Sequence, residues 1–214
     1  MKKVIPTVFA KNKKEFKERF RKLIELKRGL HIDFMDGRFI KAKGMSVKDV
    51  PDLKKYGRNF EAHLMCSEPV KYVRDLKKKG FKKVIFHYEA VKDINKILGL
   101  ILYAKSNGLK GIIAVNPNTK INKLKDLLKE VDSILLMGVY PGKEKQKFIS
   151  KVYDKIRKLR NMNKKIKIQV DGGVNLTVAK KLRKLKVNIV NTGSFVSKAE
   201  NPKEALRELE RVFR

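Results

Sequence analysis

The stretch Leu30-His31-Ile32-Asp33-Phe34-Met35-Asp36-Gly37 decides how this chain is read. Side chains of a β-strand alternate between its two faces, so His31, Asp33 and Met35 share one face while Ile32 and Phe34 share the other. One face carries an imidazole, a carboxylate and a thioether; the other is plain hydrocarbon. Burying an unpaired charge is costly, so His and Asp in this register require partners. Two further stretches offer them: Glu61-Ala62-His63-Leu64-Met65, in which His63 aligns with Met65, and Gln169-Val170-Asp171-Gly172-Gly173, in which Asp171 aligns with Gln169. His31, Asp33, His63 and Asp171, at the ends of separate strands, form a plausible divalent-metal site.

Outward from these stretches, strand and helix signals alternate without interruption. Strands are expected at Val4–Ala10, Leu30–Met35, Asn59–Met65, Lys83–Phe86, Leu109–Val115, Ser133–Val139, Lys165–Val170 and Val187–Thr192. Between them, Asn12 caps a helix whose Phe16, Phe20, Leu23 and Ile24 fall at helical spacing. Further helices are expected near Val47–Tyr56, from Pro69 to near Gly80, at Ile94–Ser106, Ile121–Lys129, Gln146–Asn161 and Thr177–Lys184, and after Asn201-Pro202. Eight such units in 214 residues imply an α/β fold of the closed (β/α)8 TIM-barrel type, with one domain over residues 1–214. An open doubly wound sheet is the rival, but no G-x-G-x-x-G follows any strand. Active sites of the barrel lie at the C-terminal ends of its strands, which is where His31, Asp33, His63 and Asp171 fall.

Charge is the extreme feature of the composition: the formal net charge is +32, and Lys outnumbers Arg 42 to 12. A nucleic-acid surface needs clustering on one face, whereas these charges are spread along the whole chain as a solubilising coat. Nucleic acid is therefore not the expected partner. The single cysteine, Cys66, excludes an intrachain disulfide and fits a reducing compartment. The start, M-K-K-V-I-P-T-V-F-A-K-N-K-K, has a short apolar run broken by Pro6 and reads as a first strand rather than a signal peptide. No run approaches the ~18 apolar residues of a membrane helix, so a soluble, cytoplasmic protein without a membrane partner is expected.

An ordered set of motifs resembles the ribulose-phosphate 3-epimerase family: H-I-D-F-M-D-G at 31–37, H-L-M-C-S-E-P at 63–69, F-H-Y-E-A at 86–90, N-P-N-T at 116–119, L-M-G-V-Y-P-G at 136–142, Q-K-F-I at 146–149, V-D-G-G-V-N at 170–175 and T-G-S at 192–194. The resemblance implies that His31, Asp33, His63 and Asp171 hold one divalent ion per subunit (Zn2+, Fe2+, Mn2+ or Co2+). It implies that Asp33 and Asp171 double as an acid–base pair working on opposite faces of a sugar phosphate. Met35, Met65 and Met137 match methionines that look into the family's site, and Gly142, Gly172, Gly173, Gly193 and Ser194 match positions that hold the substrate phosphate. Thr7 stands where the family usually has a substrate-contacting serine. A homo-oligomer is the expectation, since the family is commonly dimeric or larger.

Three departures from the family pattern fall on the parts that enclose the substrate. Residues 7–12 read T-V-F-A-K-N in place of S-x-L-S-A-D, and Arg38-Phe39-Ile40-Lys41-Ala42 replaces H-F-V-P-N. Residues 141–146 read P-G-K-E-K-Q in place of P-G-F-G-G-Q, so Glu144 and Lys145 stand where two loop glycines are usual. Glycines permit close backbone approach to an anion; Lys143 or Lys145 would offer charge instead.

Inverting a carbon beside a ketone means removing a proton from one face and returning one to the other, for which two opposed carboxylates suffice. A divalent ion polarises the ketone as a Lewis acid. The implied reaction is 3-epimerisation of D-ribulose 5-phosphate to D-xylulose 5-phosphate. The same groups would serve a hexulose 6-phosphate such as allulose 6-phosphate, and a rival of another class is a basic barrel that binds nucleic acid or a protein partner. Barrel decarboxylases and hexulose-phosphate synthases use Asp-x-Lys-x-x-Asp, which H-I-D-F-M-D-G does not match. His87 and Glu89 are open between supporting the ligands and facing substrate. Asp36 is read as fixing the turn before Gly37, and Cys66, adjacent to Met65, as facing the helices.

Overall fold

Segments rich in Val, Ile and Leu form the strands β1 (Lys3–Val8), β2 (His31–Met35), β3 (Glu61–Met65), β4 (Lys83–His87), β5 (Lys110–Val115), β6 (Ser133–Met137), β7 (Lys167–Asp171) and β8 (Ile189–Thr192). In the computed structural model, which describes residues 3–214, these strands pair in parallel and in sequence order, and β8 returns to β1 to close the barrel. The helices are α1 (Lys13–Ile24), α2 (Val73–Lys78), α3 (Tyr88–Val91), α4 (Ile94–Ser106), α5 (Leu127–Glu130), α6 (Lys151–Met162), α7 (Leu176–Lys184), α8 (Ser194–Ser197) and α9 (Pro202–Phe213). Asn12, Asp93, Asn175 and Asn201 cap α1, α4, α7 and α9, each side chain accepting from a first-turn backbone N–H that would otherwise lack a partner.

Alternation sorts the barrel side chains into two environments. Outward residues such as Ile32, Phe34, Ala62, Leu64, Val84, Ile113, Leu136 and Val170 pack against Phe16, Leu100, Ile156, Leu182 and Leu209 of the helices in one core. Inside the barrel Ile85, Ile112, Ala114, Leu135 and Met137 form one apolar cluster, and Met35 and Met65 pack with Phe9 in another. The inner face otherwise carries buried His31, Asp33, Glu61, His63, His87, Gln169, Asp171 and Asn191. Buried polar groups must be paired or must bind something.

Four expected helices take other forms, the one from Pro69 opening as a 3-10 turn, Pro69–Tyr72, before α2. At 47–56 there is no α-helix but two single 3-10 turns, Val47–Asp49 and Lys54–Tyr56. Pro51 lies between them, lacking an N–H and disfavouring helical backbone at the residue before it. Val47, Val50 and Leu53 are still buried, so the packing survives without the helix. At 121–129 a 3-10 turn, Ile121–Leu124, precedes the short α5. The helix expected from Gln146 begins only at Lys151, because the Gln146 amide donates to the carbonyls of Tyr140 (2.6 Å) and Lys143 (2.9 Å) and ties residues 141–146 into a loop. Among the described residues no helix is long and apolar enough to cross a membrane.

Candidate active site

Strand register places the functional side chains. β2 pairs with β3 so that His31 faces Glu61, Asp33 faces His63 and Met35 faces Met65, while β7 sets Asp171 level with Met137 of β6. His31, Asp33, His63 and Asp171 each bring one ligand atom to a common point, all within 4.8 Å of one another and all on buried residues. His63 Nδ1 lies 2.9 Å from Asp33 Oδ1 and 3.8 Å from Asp171 Oδ2; His31 Nε2 lies 3.3 Å and 3.8 Å from the same two atoms.

The protonation states follow from the neighbours. Burial pushes the His87 imidazole down to about 4, so it is neutral near neutral pH, with Nδ1–H directed at Glu89 3.4 Å away. Its Nε2 is then an acceptor, and His63 Nε2, 2.9 Å away, is the donor. On the other side of the ring, His63 Nδ1 lies 2.9 Å from Asp33 Oδ1. The His31 Nδ1–H donates to Glu61 Oε1 at 2.8 Å, and its buried Nε2, without a hydrogen-bond partner, belongs to the same cluster.

Electrostatics agree with that geometry. Burial opposes a charge on His31, but Asp171, Asp33 and Glu61 outweigh it and raise the imidazole well above its ordinary 6.5. Burial also opposes the charge on Asp33, yet His31 and His63 hold its carboxyl far below the usual range. Asp171 moves the other way, raised by burial and by repulsion from Asp33 and Glu61. A pocket that draws protons onto a histidine also draws metal cations, and its mixed nitrogen and oxygen donors suit a divalent first-row ion. The residues fit such a group.

A second layer orients the ligands. Glu61 Oε1 also accepts from Gln169 (2.5 Å) and Asn191 (3.0 Å), and its Oε2 accepts from Lys83 (3.1 Å). Glu61 thereby fixes the His31 tautomer, the usual task of a carboxylate behind a metal-binding histidine. The motif reading does not single out Glu61, although its spacing of two from His63 puts it on the same inward face. His87 and Glu89 also lie in this layer: Glu89 Oε1 accepts from Asn116 N (2.9 Å) and Thr119 Oγ1 (2.5 Å).

A cavity of about 450 Å³ opens at the C-terminal end of the barrel. Asp33, His63 and Asp171 line it with Thr7, Met65 and Met137, and with Gly142, Gly172, Gly173, Gly193 and Ser194. Thr7 Oγ1 is buried there without a partner. Gly142, Gly172 and Gly173 have φ of +98°, +97° and +69°, so the backbone itself demands glycine. At Gly193 an added Cβ would meet nothing within 4 Å, so the space beside it is open. Met35 stands beside this cavity rather than among its lining residues. It packs with Phe9 and Met65 under Phe39, Ile40 and Ala42, its methyl group against Gly44. Asp36 accepts from the backbone of Arg38, Phe39 and Ser67 and from Ser67 Oγ, clasping two loops without joining the cluster. Cys66 sits in the outer core, its thiol pushed up to about 12 by burial.

A sequence model described as "Ribulose-phosphate 3 epimerase family" matches residues 3–197. The ribulose-phosphate 3-epimerase of Bacillus subtilis is 32% identical over 191 residues, 84% of this chain and 84% of that protein. The chain belongs to the ribulose-phosphate 3-epimerase family. The Candida glabrata member is 32% identical over 83% of this chain and 78% of its own, and that of Methanocaldococcus jannaschii 33% over 84% and 76%. Among solved structures, 3-hexulose-6-phosphate synthase from Salmonella typhimurium superposes with a TM-score of 0.73 at 19% identity, covering 100% of this chain and 98% of that one. That likeness is one of fold alone.

Of the altered stretches, Thr7, Phe9 and residues 141–146 line the cavity, whereas residues 38–42 do not; Ile40 and Ala42 lie beside Gly142. Lys145 keeps a left-handed backbone, φ +59°, at a usual glycine position. Phe39 lies against the His87 ring at a centroid distance of 4.9 Å and helps roof Met35 and Met65.

Proposed function

We propose that this chain is a metal-dependent ketose-phosphate 3-epimerase that interconverts D-ribulose 5-phosphate and D-xylulose 5-phosphate. The observation that carries the reading is geometric: Asp33 and Asp171 stand beside one cavity and share a cluster with His31 and His63 whose ligand atoms lie within 4.8 Å of one another. Two carboxyl groups so placed can divide the proton transfer, one accepting while the other donates. Asp33, kept ionised, takes the proton at C3 from one face; Asp171 returns a proton to the opposite face, and the roles exchange in reverse. Each group contributes about 10²–10⁴-fold. Met65 and Met137 line the cavity with thioethers, which carry no acidic proton, so the two Asp control where the carbon is protonated. A divalent ion held by His31, Asp33, His63 and Asp171 would supply Lewis acidity, polarising the neighbouring ketone. Thr7 Oγ1 is free to meet a sugar hydroxyl, and Gly142, Gly172, Gly173, Gly193 and Ser194 receive the phosphate.

The test is proton NMR of metal-loaded protein with D-ribulose 5-phosphate in D2O. Loss of the C3 proton signal with growth of xylulose 5-phosphate, both silenced in Asp33→Asn and Asp171→Asn, supports the reading. The departures at Arg38–Ala42 and at Glu144-Lys145 favour one second reading, a hexulose 6-phosphate as substrate; exchange without efficient pentose turnover would select it. No exchange on any ketose phosphate with metal demonstrably present would refute both readings and leave a basic binding barrel.

A further inference from the structure

The cavity carries positive charge that the proton transfer does not use: Lys143, Lys145 and Lys198 all line it. Beside them Glu144 also lines the cavity, yet its side chain is only 15% exposed. Its Oε1 accepts from Arg19 Nη1 of α1 at 2.7 Å, and its Oε2 pairs with Lys198 Nζ at 3.0 Å. A lone carboxylate at the mouth of a cavity for an anion would repel it. Held between two cations, Glu144 becomes a bracket. Arg19 is shared between Glu144 and, at 3.9 Å, Glu15, while Lys198, 38% exposed, is the cation of this group that lines the cavity. The bracket staples the 141–146 loop to α1 and to the segment after α8. It also holds a flexible lysine stem in place before any ligand arrives, so less ordering remains to be paid for on binding.

We infer that Lys198, positioned by Glu144 and Arg19, is this chain's own phosphate-recognising cation and sets its preference for phosphorylated over unphosphorylated ketoses. The inference rests on the proposed function for the identity of the sugar. Replacing two loop glycines by Glu144 and Lys145 restricts close backbone approach to an anion; an ammonium acting as a point charge replaces it.

The experiment titrates inorganic phosphate into metal-loaded protein by calorimetry, alongside kinetics on D-ribulose 5-phosphate and on D-ribulose. Lys198→Met should weaken phosphate binding roughly 10–100-fold, as loss of a hydrogen bond between charged groups implies, and Lys198→Arg should retain most of it. The ratio of kcat/KM for the phosphorylated over the unphosphorylated sugar should fall by a similar factor. Glu144→Gln, which frees the lysine stem, should give a smaller loss and add nothing to Lys198→Met. Phosphate binding by Lys198→Met equal to wild type overturns the inference, whatever the activity. Phosphate binding that depends on Lys198, in a wild type that turns over no ketose phosphate, upholds the anion site and removes only the epimerase reading.

Discussion

Replacing Glu61 by Gln should weaken metal binding about tenfold while leaving the barrel folded. Glu61 is 2% exposed, and four donors meet its carboxylate: His31, Gln169 and Asn191 at Oε1, and Lys83 at Oε2. A glutamine of the same shape keeps one carbonyl oxygen for the three donors at Oε1. Its amide then faces Lys83 Nζ, which is 25% exposed on its side chain and can turn to water, at a cost of about 1 kcal/mol. The His31 hydrogen bond loses its charge assistance. Bonds to charged groups are worth roughly 1.5–3 kcal/mol against 0.5–1.5 for neutral ones, so His31 becomes less basic and less firmly oriented by about 1.4 kcal/mol. That difference is a factor of about ten, the lower end of the 10–100-fold range for second-layer partners of metal ligands. Glu61→Ala should do worse, costing on the order of 3–5 kcal/mol of stability, because buried donors are left unpaired. The assay is chelator competition for Zn2+ or Co2+, with nitrogen NMR of the His31 ring. A Glu61→Gln protein that binds metal within twofold of wild type, with an unchanged His31 tautomer, would refute the reasoning.

Three further outcomes are expected. Exhaustive chelation should abolish C3 proton exchange and lower the melting temperature, and added Zn2+, Fe2+, Mn2+ or Co2+ should restore both; full exchange by the chelated protein would contradict the ligand assignment. Burial raises the Asp36 carboxyl, but hydrogen bonds from Ser67, Phe39 and Arg38 prevail and hold it at about 2, below its ordinary 3.8. Its stabilisation is therefore present above the unfolded value and fades as the pH falls through about 2. Acid titration of stability in wild type and Asp36→Asn should differ in that window; identical curves would dismiss the clasp. Cys66, 1% exposed with its thiol pushed up to about 12, should resist alkylation at mildly alkaline pH until denaturant is added, and rapid labelling of the native protein would contradict its placement.

Much of this molecule is legible without coordinates. Spacings of two within residues 31–35, 61–65 and 169–171 assign side chains to one face, because alternation belongs to the backbone of any strand. Repeated strand–helix units within one chain length then imply a closed parallel barrel. Those two arguments suffice to bring His31, Asp33, His63 and Asp171 to one end of the fold. The helices are less legible where Pro51 interrupts a pattern, or where Gln146 binds carbonyls of its own loop, since these outcomes depend on bonds the periodicity does not encode.

Pairing across the barrel belongs to the tertiary structure alone. Glu61 supports His31 only because β2 and β3 align those two residues, and His63 meets His87 only because β4 follows at the right height. Met35 shares the parity of Asp33, and only the loop path brings Phe39, Ile40 and Ala42 against it and its neighbours Phe9 and Met65. Glu144 and Arg19, 125 positions apart, meet because barrel closure returns the 141–146 loop to α1. Facing is a local property that each strand carries in its own alternation. Contact is a property of register, closure and loop path, which the chain acquires only when all eight strands have come together.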